Sequence, residues 1–143
     1  MNRLLQDAEQ KGGKVLEGGK LAIKDTTLFK PTVLADATAE MDISQEEVFG
    51  PVAPVDKFNT VQEVIEMAND TSAGLAAYFY GNKKRVIWQV AEELEYGMVG
   101  INTGMISTAV APFGGIKESG FGREGSKYGI EDYLVTKYLC LEV

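Results

Sequence analysis

Apolar positions recur at helical spacing in three places along the chain. From Asn2 to Lys11, Leu4, Leu5 and Ala8 fall on one face, and Gly12-Gly13 stops the pattern, which predicts an amphipathic helix. From Thr60, a T-x-x-E capping box with Glu63 precedes Val61, Val64, Ile65 and Ala68, and Asn69-Asp70 closes a second helix. A third, through Val86, Ile87, Val90, Ala91 and Leu94, is expected to be capped by Asn82 and ended by Gly97. Between and around these lie short extended runs: Lys14 to Leu16, Leu28 to Leu34, VAPVDKF from Val52, LAAYFYG from Leu75 and MVGIN from Met98. Pro31 places the second run at a sheet edge or a strand start, and the aromatic LAAYFYG reads as a buried strand. In MDISQEEVFGPV, Gly50-Pro51 ends any helix begun at Ser44. Helix and strand alternate through the middle of the chain, so the expected fold class is α/β and layered.

The region from Thr103 to Tyr128 is glycine-rich and aperiodic, which marks either a functional loop or backbone packed closely against its surroundings. Within it GFGREG, Gly120 to Gly125, spells the G-x-G-x-x-G of dinucleotide-binding folds. That fingerprint requires a strand before it, a helix after it and a carboxylate further on. Here APFGGIKES precedes it and eighteen residues follow it, too few for a helix and second strand, so it reads as a glycine turn. The last eleven residues, YLVTKYLCLEV, alternate as one strand with two largely apolar faces, a segment suited to pairing with another chain.

Composition narrows the chemistry. The 143 residues are 45% apolar and 24% charged, the size and balance of a single globular domain. A net charge of −7 with scattered Lys and Arg repels nucleic acid and anionic membranes, so neither is an expected partner. No apolar run approaches a membrane span, and MNRLLQDAEQKGGK lacks the apolar core of a secretion signal, so the cytoplasm is the expected compartment. The chain has no histidine, which removes the commonest general base and metal ligand, and no metal site is expected. Its one cysteine, Cys140, sits in the apolar terminal stretch and is read as a packing residue.

Taken in order, EEVFGPV, MVGIN, PFGGIKESGFGRE and YGIEDYLVTKYL resemble the C-terminal part of the aldehyde dehydrogenase superfamily. INTGMIS followed by REGSKYGIEDY is most similar to its succinate-semialdehyde dehydrogenase branch, which oxidises succinic semialdehyde to succinate with NAD or NADP. The resemblance implies that residues 1–132 are the C-terminal part of a catalytic domain and 133–143 a terminal oligomerisation strand, in a homo-oligomer. It further implies that the Rossmann domain, the cysteine nucleophile and the water-activating glutamate have no counterpart in these residues, so that no residue here is catalytic and the chain alone is inactive. In the parent reaction a thiolate adds to the aldehyde, hydride passes to the nicotinamide and water hydrolyses the thioester.

By the same resemblance, Glu47 binds the hydroxyls of the nicotinamide ribose and Phe49 lies against the nicotinamide, cofactor-binding roles suited to a carboxylate and an aromatic face. Ser107 is placed on the substrate's distal carboxylate and Phe113 on the wall of the aldehyde tunnel. A hydroxyl alone does not hold a carboxylate, and the charge-assisted donors belong to other family segments. Taken as a residue alone, Glu47 reads as a solvated acid in a polar turn, and Ser107 has the alternative of an ordinary loop serine. Arg123, Glu124 and Lys127 either tie the glycine turn to neighbouring loops or form a solvated cluster. Two other functions stay open: a self-associating or complementing assembly module, and an aldehyde dehydrogenase of other specificity.

Overall fold

The helical face of Leu4, Leu5 and Ala8 is buried as its spacing requires, in helix α1 (Asn2–Gln10). The helix ends where Gly12 adopts φ 98°, a left-handed backbone that costs glycine nothing. The computed structural model describes residues 1–24 and 26–143, so Asp25, in the polar loop expected between the first two extended runs, lies outside the described residues. The chain forms two units, Met1–Asn59 and Thr60–Val143.

In the first unit, strands β1 (Lys14–Glu17), β2 (Thr32–Ala35) and β3 (Val52–Val55) form a sheet in that order, β1 antiparallel and β3 parallel to β2. β2 is therefore central. Pro31 sits just before it, so the strand-start alternative is the one realised and the edge alternative is not: Pro31 precedes the first ladder N–H, that of Thr32, which donates to the Pro51 carbonyl at 2.8 Å. Thr32 and Leu34 point into the core while Val33 is turned out, the two-residue period of a strand with one covered face. Leu34, Met41 and Ile43 join the α1 residues there, each fully buried side chain contributing about 1.5–3 kcal/mol. The buried Thr32 hydroxyl is satisfied twice, donating to Lys30 O and accepting from Gly19 N, both at 2.8 Å. Between β2 and β3 lies a four-residue helix, α2 (Asp42–Gln45), which stops well short of Gly50.

The second unit is built from α3 (Val61–Asn69), β4 (Ala76–Phe79), α4 (Lys84–Glu93) and β5 (Met98–Ile101), with β4 and β5 parallel in the register Ala76↔Met98 to Phe79↔Ile101. The capping box forms as expected: Glu63 N donates to the Thr60 hydroxyl at 3.1 Å and Thr60 N to the Glu63 carboxylate at 3.3 Å. Three expectations are corrected. Lys83, not Asn82, occupies the N-cap of α4, and no side chain caps it. The helix ends at Glu93, before Gly97, whose N–H instead donates to Gly74 O at 2.9 Å. β4 is not buried: it has one neighbouring strand, and Tyr78 is 49% exposed.

Short 3-10 turns, Lys117–Ser119 and Glu131–Tyr133, are the last regular elements, and residues 134–143 form no strand within the chain. Alternation alone does not make a strand without a ladder partner. Cys140 is exposed, which corrects its reading as a packing residue. The chain as a whole exposes 10841 Å². Two compact globules of 59 and 84 residues sharing no interface would together expose only about 8,700 Å². Exposed Phe49, Val110, Phe121, Tyr133, Val135 and Leu139 contribute to the excess.

Candidate functional site

In the first unit the EEVFGPV segment is held at both ends. Asp7, Lys11 and Arg3 share one face of α1 at four-residue intervals and grip α2. The Asp7 carboxylate accepts from Asp42 N at 2.8 Å, capping a helix whose own N-cap, Met41, offers no side-chain acceptor. Lys11 Nζ lies 2.7 Å from Asp7 and 3.2 Å from Asp42, and donates to Glu40 O at 2.8 Å. The guanidinium of Arg3 spans α2, reaching Asp42 at 2.6 Å and Glu46 at 2.5 Å. The Lys11 ammonium, followed by the Asp42 N–H, holds the Asp7 carboxyl below its ordinary range, and Asp7 in turn raises Lys11. At the far end Thr32 N donates to Pro51 O, fastening the segment to β2.

Between those anchors burial alternates. Val48 packs against the core, while Glu47 and Phe49 are exposed, Phe49 to 88%. Among the described residues no hydrogen bond or ion pair engages the Glu47 carboxylate. The carboxylate leaves two acceptor oxygens open, and the ring two residues on offers an apolar face.

In the second unit Asn102, the residue after β5, takes φ 56° and returns its side chain to Gly81: Oδ1 accepts from Gly81 N and Nδ2 donates to Gly81 O, each at 2.8 Å. The amide side chain imitates a peptide and extends the β4–β5 ladder while the main chain turns away into 103–112. Ser107 lies exposed in that loop beside half-buried Ile106. Phe113 is half-buried, and its backbone pairs with Glu124 in both directions, at 2.8 and 2.7 Å. Behind it the loop approaches β4 and β5 so closely that a Cβ on Gly97 would overlap the Gly114 carbonyl.

GFGREG has the structure of a turn. Gly120, Gly122 and Gly125 take φ 118°, 74° and 67°, and neither a strand before it nor a helix after it is present. Arg123 ties it down, donating from Nη1 to Gly115 O and Gly122 O, both at 2.7 Å. Among the described residues Lys127 makes only a neighbour contact, 5.0 Å above the Tyr128 ring. A cavity of about 460 Å³ opens beside Arg123, Ser126, Asp132 and Tyr133, lined by neither Ser107 nor Phe113. Glu47 and Phe49 thus come together in the first unit, and Ser107 and Phe113 belong to the second. The sequence reading missed the supports, Asp7, Asn102 and Lys117, the last donating from Nζ to Asn69 O at 2.9 Å and Thr71 O at 3.1 Å. Of these only Asp7 had a visible signal, its four-residue spacing to Lys11. Among the described residues no group of His, Cys, Asp and Glu is placed to hold a metal, and no helix is long and apolar enough to cross a membrane.

The first unit thus presents an exposed carboxylate and an exposed ring, and the second a glycine-packed loop that carries Phe113. The chain belongs to the aldehyde dehydrogenase family, whose model matches residues 1–139. It is 58% identical over 139 residues to a glutarate-semialdehyde dehydrogenase of Pseudomonas putida, covering 97% of this chain and 28% of that protein. It is 56% identical over 137 residues to the NADP(+) succinate-semialdehyde dehydrogenase GabD of Escherichia coli, covering 96% and 28%. The crystal structure of a succinate-semialdehyde dehydrogenase from Burkholderia pseudomallei superimposes with a TM-score of 0.94 at 53% identity, over 99% of this chain and 30% of that one. The chain therefore spans less than a third of the relatives it matches.

Proposed function

We propose that this chain forms part of the catalytic domain of an NAD(P)-dependent dehydrogenase for short aldehydes that carry a distal carboxylate, succinic semialdehyde first among them. The observation that carries this reading is its identity of 56–58% to enzymes named for succinate and glutarate semialdehydes. The nicotinamide cofactor, when bound, supplies the hydride acceptor. Glu47 would accept hydrogen bonds from the ribose hydroxyls, and Phe49 would cover the nicotinamide and keep water from the hydride path. Ser107 would donate its hydroxyl to the distal carboxylate, supplementing charged donors from elsewhere in the enzyme, and Phe113 would wall the aldehyde path.

The test is a chimera in which this chain replaces the matching segment of the E. coli enzyme. It should oxidise succinic semialdehyde with NADP+. Glu47→Gln should raise the KM for NADP+ and leave that for the aldehyde unchanged, while Ser107→Ala should do the reverse. A folded chimera that binds NADP+ yet oxidises no semialdehyde would refute the reading.

A second reading, that the isolated chain acts as an assembly module, is favoured by its excess exposed area of about 2,000 Å², more than one side of a standard protein interface. Residues 133–143 would then serve as the pairing strand. Sedimentation of the isolated chain should show self-association; a strict monomer at all concentrations removes this reading.

A further inference from the structure

Lys117 stands in a left-handed backbone conformation, φ 55°, without being glycine, at the point where the Phe113 loop meets the ends of α3 and α4. Such a conformation persists only where surrounding contacts fix it. Its ammonium has three protons and meets three acceptors: Asn69 O at 2.9 Å, Thr71 O at 3.1 Å and the Glu95 carboxylate at 2.6 Å. The first two lie at the C-terminus of α3, where carbonyls lack helical donors and a cation is favoured. Asn69 extends the junction to α4, donating from Nδ2 to Glu93 O and accepting at Oδ1 from Glu95 N, both at 2.8 Å.

The main chain on either side of Lys117 is stitched to the same place. Ile116 N donates to Gly74 O at 3.0 Å, Glu118 N to Ser72 O at 2.9 Å, and Gly74 N to the Ser119 hydroxyl at 2.9 Å. From Lys117 the chain runs back through Ile116, Gly115 and Gly114 to Phe113, and on this run Arg123 holds the Gly115 carbonyl. Phe113 is thus suspended between an arginine clamp on the glycine turn and a lysine clamp on the helix ends.

We propose that Lys117 is a positioning residue that sets the place of Phe113 and, through it, the length of aldehyde the enzyme prefers. The second clause rests on the reading of Phe113 as a wall of the aldehyde path. Lys117→Met keeps the side-chain length and removes every donor. Lys117→Arg keeps the charge, although a planar fork suits two acceptors better than three set around a point.

The test has two arms. In the chain as it stands, Lys117→Met should speed amide exchange at Ile116, Glu118 and Phe113 about tenfold or more, with α1 unchanged and Lys117→Arg partly restoring protection. In the chimera, Lys117→Met should change the ratio of kcat/KM for succinic over glutaric semialdehyde about threefold or more, with the KM for NADP+ unmoved. A lesion confined to folding would lower both substrates together and leave that ratio constant, which would overturn the proposal. Unchanged exchange at Phe113 would overturn it as well. If the unsubstituted chimera oxidises neither aldehyde, the functional reading fails and the Phe113 exchange rate alone decides the positioning claim. Should Lys117→Met not fold, Glu95→Gln, which weakens one of the three acceptors, should move both readouts in the same direction by a smaller amount.

Discussion

Three glycines, Gly97 packed against the loop around Phe113 and Gly104 and Gly120 within the glycine-rich region, separate the causes that call for glycine there. At Gly97 an added Cβ would overlap the Gly114 carbonyl oxygen and lie 2.8 Å from Gly115 Cα. Carbon atoms rest at about 3.5–4.0 Å, so the loop would have to retreat by roughly 1 Å. Overpacking of that kind costs about 1–3 kcal/mol. Gly120 has open space around it, but its φ of 118° is denied to alanine, which costs about 1–3 kcal/mol in backbone strain alone. Gly104 meets nothing within 4 Å and has no left-handed φ. There alanine should stabilise by about 0.4–1 kcal/mol, by narrowing the unfolded ensemble. Urea unfolding followed by the fluorescence of Trp88, the single tryptophan, on α4, reads all three variants in the same unit. Moderate temperature and a common slope make the midpoints comparable. If Gly97→Ala proves as harmless as Gly104→Ala, the close approach of the loop to the strands is wrong.

Thr60→Ala should cost the second unit about 0.5–2 kcal/mol by removing the capping box, and Thr60→Ser should recover most of it in the same urea assay. Asp36, between Lys57 at 2.8 Å and Lys14 at 2.9 Å, is held at a pKa of about 2 by the Lys57 hydrogen bond first and then by that of Lys14. Because the folded value is depressed, its stabilisation is complete above the unfolded carboxylate pKa of about 4 and is lost as the pH falls toward 2. The carboxyl carbon of Asp36 should therefore titrate in NMR near pH 2, below the ordinary aspartate range of about 4; an ordinary midpoint would mean the lysine pairs do not form in solution.

What the sequence revealed follows how local each cause is. The Thr60–Glu63 box and the Leu4, Leu5, Ala8 face lie within one turn or two of helix, so spacing alone predicts them. The central place of β2 depends on partners at Lys14 and Val52, and a proline at its start does not reveal which side is paired. LAAYFYG and the terminal YLVTKYLCLEV carry the composition of buried strands, yet burial needs a covering surface, and the chain leaves Tyr78 and Val135 uncovered. At the site, Glu47, Phe49, Ser107 and Phe113 were named by resemblance, since residue chemistry alone left a turn acid and a loop serine. Their supports escaped notice because Asp7 with Asp42, and Lys117 with Asn69, are joined across 35 and 48 positions. No local pattern records such pairs. GFGREG shows the reverse failure, a motif legible in the letters whose glycines serve positive φ and, at Gly122, the close approach of the Asp132 carboxylate.

The central claim is that these residues furnish walls of a dehydrogenase site and none of its reactive groups. Cys140→Ser in the chimera tests it most directly, because Cys140 is the only thiol this chain brings. With succinic semialdehyde and NADP+ saturating, kcat should match that of the unsubstituted chimera; a fall of about a thousandfold or more, as loss of a nucleophile produces, would contradict the account.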